Sequence, residues 1–463
     1  MTKQQRLVLA IAILGSFVAF LDGSVVNVAL PAISRELGGA LTTQQWVVDA
    51  YLITLGSLIL VAGSLSDVFG RITVLRFGLV GFGVTSLLCA VAPSPEFLII
   101  SRGLQGIAGA LLVPSSLALI MSNFRGALQG KAIGSWTGWT SVAFLIGPLI
   151  GGAFVDLVSW RLVFAINVVP IAVTIWLLVI LRQHDVRESG ASVDYLGAVL
   201  AVVGIGGPVY ALIEQEHDGW ASPAIYLPMA IGILAFAGFL WRQRVAAAPM
   251  MPLELFRVRN FAMGNIATSA IYGALSLGGF LVVVFLQQVS GYSATMAALS
   301  TLPPTVILML LSTYCGTLSA RFGPRLFMTV GPILGGAGYL LMLSMTADVN
   351  YWTQLLPGML LFGLGLTITV APLTAAILGA ISERQAGIGS AINNAVARVA
   401  GLVAIAMLGI ITGATLDVDG FHRGLIVTAA LLILGGVISA FGIRNIAKEP
   451  SVARSSSRAA PAD

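Results

Sequence analysis

Asp22, Asp49 and Arg102 are the ionisable residues whose placement could do chemistry, because each interrupts a long apolar run. A charge at the centre of a bilayer span costs about 2.5 to 3.5 kcal/mol on insertion scales, so such residues are candidates for function. Burial and a neighbouring carboxylate disfavour the ionised form of an acid, whereas a guanidinium favours it. Opposed influences can hold a carboxyl where it loads and releases a proton near neutral pH. Asp22 is therefore the expected protonation site, with Arg102 as its electrostatic partner and Asp49 as a second candidate. The plainer readings are a hydrogen bond joining the first two runs for Asp22, an ion pair or carbonyl clamp for Arg102, and solvation near the interface for Asp49.

The elements that must position these residues are helices in lipid. The chain has 463 residues, of which 57% are hydrophobic and 9% charged, with a mean hydropathy of +0.97. A soluble domain carries about 25% charged residues, so a water-soluble fold is excluded. Fourteen apolar runs are long enough to cross a bilayer. They lie near 7 to 30, 45 to 65, 73 to 92, 96 to 121, 129 to 152, 161 to 182, 194 to 214, 223 to 242, 261 to 288, 294 to 320, 326 to 346, 352 to 379, 387 to 413 and 421 to 443. The first run is too long for a signal peptide and is followed by Pro31 rather than a small-residue cleavage site, so it is read as a helix. The expected fold is all-α and integral to the membrane, with two six-helix bundles and two inserted helices.

Basic residues accumulate on the cytoplasmic side of membrane proteins. With the N-terminus inside, roughly 19 of the 24 Lys and Arg residues fall on that side, and only Arg35, Arg161 and Arg423 lie outside. Both termini are expected to be cytoplasmic. The formal charge of +5 follows from this bias and requires no nucleic-acid partner. On this orientation Asp22, Asp49 and Arg102 lie roughly 12, 6 and 9 Å below the outer ends of their runs, at 1.5 Å per residue. They can share one layer. Cys89 and Cys315 are too few, and too deep in apolar runs, for a disulfide framework or a metal site.

The segment Gly63-Ser-Leu-Ser-Asp67-Val-Phe-Gly70-Arg71 returns as Gly316-Thr-Leu-Ser-Ala-Arg-Phe-Gly323-Pro-Arg325. Gly, Leu, Ser, Phe and Gly recur at the same offsets in two equivalent loops. Chance similarity of short turns is the bland reading. Duplication is the other, with bundles over 1–182 and 261–445, two extra spans in a linker over 183–260, and a disordered tail over 446–463. Duplicated bundles are the usual architecture of secondary transporters, with a substrate site between the repeats near the midplane.

Several segments together resemble the major facilitator superfamily, and within it the fourteen-helix drug/proton antiporters. Leu21 to Pro31 and Trp46 to Tyr51 are similar to the openings of the first two helices of that subfamily, and Gly63 to Arg71 to the loop motif of the superfamily. Arg102-Gly-Leu-Gln105-Gly106 resembles its fourth-helix motif. Gly134 through Gly147-Pro148-Leu-Ile-Gly151-Gly152 resembles the fifth-helix motif of antiporters, and Trp160-Arg161 with Phe164, Ile166 and Asn167 completes the pattern. The loop motif departs at Val68 and Ile72, where basic residues are usual; Ala143 replaces a common Gly. Span 10 lacks the acidic residue that some members use for dications.

The resemblance implies that first- and fourth-helix charges line a central cavity, and that Gly63, Asp67, Gly70 and Arg71 form a conformational switch in which Asp67 meets the positive end of span 11 only when the cytoplasmic side is closed. A topogenic loop is the alternative. Gly134, Gly147, Pro148, Gly151 and Gly152 belong to the antiporter-type motif, and within it Gly147, Pro148, Gly151 and Gly152 would form a pliable, close-packed hinge, or else simple helix packing. Asn27, Trp136, Trp139, Tyr272, Asn393, Asn394 and Arg398 are candidates for a substrate cavity, with Phe20 and Phe280 as further aromatics. Pro114 and Pro372 are expected to kink spans 4 and 12. Glu214 and the cluster Glu216-His217-Asp218 are expected to be solvated.

No phosphate-cradling GxxxxGK[ST] loop is present to power transport by ATP, and the three histidines lack metal-ligand spacing. The expectation is a protein that is not an enzyme, needs no cofactor or metal, and is driven by the proton motive force. It would export hydrophobic or amphipathic small molecules by proton-coupled antiport, as a monomer in a bacterial inner (plasma) membrane. Its partners would be the small-molecule substrate, protons and the lipid bilayer. The alternatives are export of one metabolite, lipid or siderophore, import, and a scaffold or sensor that moves nothing.

Overall fold

The computed structural model describes residues 1–181, 185, 192–246, 249–382, 385–413 and 415–445. The tail over 446–463 lies outside the described residues. Among the described residues, fourteen helices are long and apolar enough to cross a membrane. They are Lys3–Leu37, Ala40–Phe69, Arg71–Ala90, Pro95–Asn123, Leu128–Leu157, Leu162–Leu181, Tyr195–Asp218, Pro223–Val245, Arg259–Gln288, Ala294–Phe322, Pro324–Ser344, Tyr351–Leu378, Ala386–Ala406 and Val418–Gly442, here spans 1 to 14. Helices are what lipid permits, because each backbone N–H and C=O must find its partner within the chain. Span 1 runs through Pro31 to Leu37, several residues past its expected end.

Within the first six spans, span 1 packs on spans 4, 5 and 6, span 4 on spans 2 and 3, and span 3 on span 6. Spans 9 to 14 repeat these pairings: span 9 packs on 12, 13 and 14, span 12 on 10 and 11, and span 11 on 14. Spans 7 and 8 pack closely on each other where Gly207 lies against the Pro228 carbonyl and Gly204 against the Phe236 backbone. Span 7 also touches spans 2 and 13. The inserted pair thus flanks the seam between the two sets of six.

The internal repeat extends beyond the matched residues. Gly70 at φ +99° and Gly323 at φ +88° turn the chain between spans 2 and 3 and between spans 10 and 11. In each case a residue shortly after the last span of the set closes over the glycine. Asp185 accepts the backbone N–H groups of Ile72 at 2.9 Å and Thr73 at 2.7 Å, and Asn445 Oδ1 accepts that of Arg325 at 3.2 Å. Helix N-termini leave unpaired donors and a partial positive charge, which these side-chain oxygens satisfy. A Cβ on either glycine would run into that capping side chain.

This geometry predicts that Gly70→Ala and Gly323→Ala each destabilise the purified protein by at least about 1 to 2 kcal/mol, the cost of left-handed backbone for a residue with a Cβ. Gly134, mid-helix and with open space around it, is the contrast: Gly134→Ala should be neutral or stabilising. Thermal unfolding in detergent reads both, and equal melting of all three variants would refute the assignment.

Candidate functional site

Asp22 and Arg102 meet directly. The Asp22 Oδ2 to Arg102 Nη1 distance is 2.6 Å, and the two side chains are 0% and 2% exposed. Asp22 Oδ1 accepts from Gln105 Nε2 at 3.0 Å and from Asn167 Nδ2 at 2.9 Å. Gln105 also donates to Ser86 Oγ at 2.9 Å and accepts from Arg102 Nη1 at 2.6 Å. Arg102 Nε donates to the Val47 carbonyl at 2.9 Å, and its guanidinium lies over the Tyr51 ring, 4.2 Å from the centroid. Spans 1, 2, 3, 4 and 6 therefore meet at one polar node. All contacts at the Asp22 oxygens come from donors.

Asp49, expected near the interface, is instead fully buried in span 2, with both carboxyl oxygens lacking a partner among the described residues. Nine residues of helix precede it in span 2, which sinks it below the expected depth. It does not join the Asp22 node. Gln45, one turn away, crosses to span 13 and donates to the Ile405 carbonyl at 2.8 Å.

Of the spaces along the seam, an apolar one of about 570 Å³ lies between span 2 and spans 7, 8, 9, 13 and 14, and two others adjoin the Asp22–Arg102 node. A cavity of about 500 Å³ is lined by Phe20 of span 1, Asp67 of span 2, Trp136 of span 5 and Asn394 of span 13, among others. It reaches the face of the molecule that carries Lys3, where Gly63, Asp67 and Gly387 border it. Deeper lies a chamber of about 100 Å³ walled by Gly23, Asn27, Tyr51, Arg102, Ser276 and Arg398. The cavity and the chamber are one helical turn apart on span 1, at Phe20 and Gly23, and on span 13, at Asn394 and Arg398.

The opposite face is shut. Gly151 of span 5 packs on span 1, where a Cβ would meet Val25 Cγ2 at 2.6 Å, and Gly152 packs on span 10, where it would meet Thr295 Cα at 2.7 Å. Gly147 lies against Ser24. Four residues past Gly152, Asp156 accepts the N–H groups of Ala294 at 3.0 Å and Thr295 at 2.8 Å, the first turn of span 10. Val28, Val155, Ala294 and Ala298 seal the contact with apolar surface, and Gln287 Nε2 donates to the Val28 carbonyl at 3.1 Å.

Other residues of the site fall as follows. Gly134, at the start of the motif, has nothing within reach of a Cβ, and the close packing is made by Gly147, Gly151 and Gly152. Gly63 likewise borders open cavity instead of a neighbouring helix. Asp67 lies 3.9 Å from Arg71 and borders the cavity mouth together with Gly387 and Ile388 at the start of span 13; the contact expected with span 11 belongs to a closed mouth, and here the mouth is open. Span 11 is taken up by spans 12 and 14. Trp139 is 61% exposed, because Trp136, Thr137, Thr140, Ser141 and Phe144 form the cavity face of span 5 and 100° per residue turns position 139 away from it. Tyr272 lines none of these spaces. Asn393 donates to Asn265 at 3.2 Å and to Thr268 at 2.9 Å, locking span 13 to span 9, and Phe280 is core. Glu214 is not merely solvated: it accepts from Trp46 Nε1 at 2.5 Å. Sequence reasoning assigned no role to Asp156 or Asp185; each is a lone acid near a span end, and the partners that identify it are remote backbone groups.

The sequence profile described as Major Facilitator Superfamily matches residues 12–405. The methylenomycin A resistance protein of Bacillus subtilis is 34% identical over 409 residues, covering 87% of each chain. The multidrug resistance protein Stp of Mycobacterium tuberculosis (strain CDC 1551 / Oshkosh) is 33% identical over 426 residues, 90% of this chain and 78% of that one. Among solved structures, a D-xylose–proton symporter superposes with a TM-score of 0.68 over 95% of this chain and 98% of its own, at 14% identity. An autoinhibited POT family peptide transporter gives 0.69 over 97% and 99%, at 15% identity. At such identities the two structures speak for the fold alone. The profile, the resistance-protein relatives and the fourteen helices agree: this chain, a multi-pass membrane transporter and not an enzyme, belongs to the major facilitator superfamily.

Proposed function

We propose that the protein exports hydrophobic or amphipathic small molecules across a bacterial plasma membrane in exchange for protons, by alternating access. The single observation that carries this reading is the Asp22–Arg102 node, one turn from a seam that is open at one face and shut at the other. By the distribution of Lys and Arg the open face is cytoplasmic, so the conformation faces inward.

In this state Asp22 receives hydrogen bonds at both oxygens and an ion pair at one, as expected of a carboxyl that has delivered its proton to the cytoplasm. Reprotonation removes the charge that holds Arg102 in place. Asp49 is different: burying a carboxylate without donors costs several kcal/mol, so its site suits the neutral acid. The far-face contact through Gly151, Gly152 and Asp156 must break for the seam to open outward. Asp67, across the mouth from the start of span 13, is positioned to meet that helix end when the cytoplasmic side closes, an interaction worth about 0.3 to 2 kcal/mol. No bound cofactor enters this cycle. One proton moving down 100 mV supplies about 2.3 kcal/mol, and each pH unit adds about 1.4.

Among the relatives, one is named for methylenomycin A resistance and another for multidrug resistance. A susceptibility panel run against expression level separates them: one compound affected marks a dedicated exporter, and several of unlike structure mark a broad one.

Two outcomes test the cycle. In everted vesicles, substrate should dissipate an imposed pH gradient for the native chain, and Asp22→Asn should abolish this while the protein still inserts; normal exchange by the variant would sink the proton assignment. Asp156→Ala removes an ionised acceptor from two N–H groups, each such bond being worth about 1.5 to 3 kcal/mol. A cysteine placed at Val28, buried in the far-face seal, should then react roughly tenfold faster with an impermeant maleimide applied to intact cells, since about 1.4 kcal/mol shifts a population tenfold. An unchanged rate would show that the contact does not hold the face shut.

A further inference from the structure

Arg398 lies within span 13, yet makes no hydrogen bond or ion pair among the described residues. It is half-buried and opens onto the small chamber between the two sets of spans. The opposite wall of that chamber is Arg102, whose bonds to Asp22, Gln105 and the Val47 carbonyl use Nη1 and Nε only. Its Nη2 group makes no hydrogen bond among the described residues. Asn27 and Ser276 supply further polar atoms, and neither side chain has a hydrogen-bond partner among the described residues.

The charges do not cancel. Asp22 compensates Arg102, which leaves one guanidinium uncompensated in a space of about 100 Å³. An unpaired cation in a low-dielectric setting is expensive, and a guanidinium binds carboxylates in a planar, forked geometry. A drug-sized ligand needs about 300 to 1,000 Å³, so the chamber holds a head group and not a whole molecule. The 500 Å³ cavity, with Phe20 and Trp136 in its walls, begins one turn away, about 6 Å along the helix axis.

We propose that the chamber is a subsite for the anionic head of an amphipathic substrate, a carboxylate or phenolate held by Arg398 and the free edge of Arg102, with the apolar body in the adjoining cavity. This deepens the export reading above and rests on it for the word substrate; the binding itself is independent of proton coupling.

The test uses the full chain in lipid nanodiscs, with 2-naphthoate and its neutral isostere 2-naphthamide as probes and the emission of Trp136 and its neighbours as signal. The native protein should bind naphthoate at least about tenfold more tightly than naphthamide, as a charge-assisted pair requires. Arg398→Gln should bring that ratio below about threefold with naphthamide affinity unchanged, which shows the cavity intact, and Arg398→Lys should keep part of the preference. Gly23→Met, which fills the chamber from a position with open space around it, should erase the preference with Arg398 still present. A ratio near one in the native protein, a ratio that survives both Arg398→Gln and Gly23→Met, or displacement of naphthoate by an equal concentration of chloride would overturn the proposal. Asp22→Asn is the separating control. Retained proton exchange in that variant refutes the coupling while the carboxylate preference stands, and a native ratio near one with exchange abolished by Asp22→Asn refutes the subsite while the coupling stands.

Discussion

A charge inside lipid has to be answered by the protein itself, and the arrangement of the first six spans follows from how Asp22 and Arg102 answer each other. Water offers no screening here, and removing one member of a buried pair costs about 3 to 5 kcal/mol. Arg102 cannot rest on Asp22 alone, since a guanidinium has five donors; Gln105 and the Val47 carbonyl take two more contacts, and Tyr51 supplies a ring face. Asp22 in turn draws in Gln105 and Asn167. The partners are spread over several helices, so satisfying one ion pair fixes the relative rotation of spans 1, 2, 4 and 6.

The glycines at the far face perform the complementary task. Helices in lipid gain no hydrophobic advantage from meeting each other, so close contact depends on small residues and on hydrogen bonds. Gly151 and Gly152 bring span 5 onto spans 1 and 10 with backbone against backbone, and Asp156 adds a charge at a helix start. This seal is narrow and local. It is built from residues separate from the Asp22 node, which lies wholly among the first six spans.

Much of this was legible in the chain. Fourteen spans follow from composition and hydropathy, because lipid imposes one rule on every segment. Asp22 and Arg102 were legible for the same reason, as polar residues in apolar surroundings. The close packing by Gly147, Gly151 and Gly152 was legible as spacing. Helix phase was not: Trp139 and Trp136 are three residues apart and differ in whether they face the cavity. A side that meets lipid and a side that meets another helix are both apolar, so residue type alone does not tell them apart. Depth misled for Asp49, because a helix continued outward beyond its apolar run. Asp156 and Asp185 escaped because their partners are backbone N–H groups, which carry no sequence identity at all.

The repeated turns show what duplication does and does not conserve. Asp185 caps span 3 over Gly70, and Asn445 caps span 11 over Gly323. The geometry is shared, but one acceptor is an acid and the other an amide. The loop that precedes the first turn carries Asp67, where its counterpart carries Ala320. The buried acids Asp22 and Asp49 fall on the first set of spans, and the second set carries Arg398, which has no ion-pair partner among the described residues. The matched pair is therefore asymmetric at the seam, with an ion pair on one side and a lone guanidinium on the other.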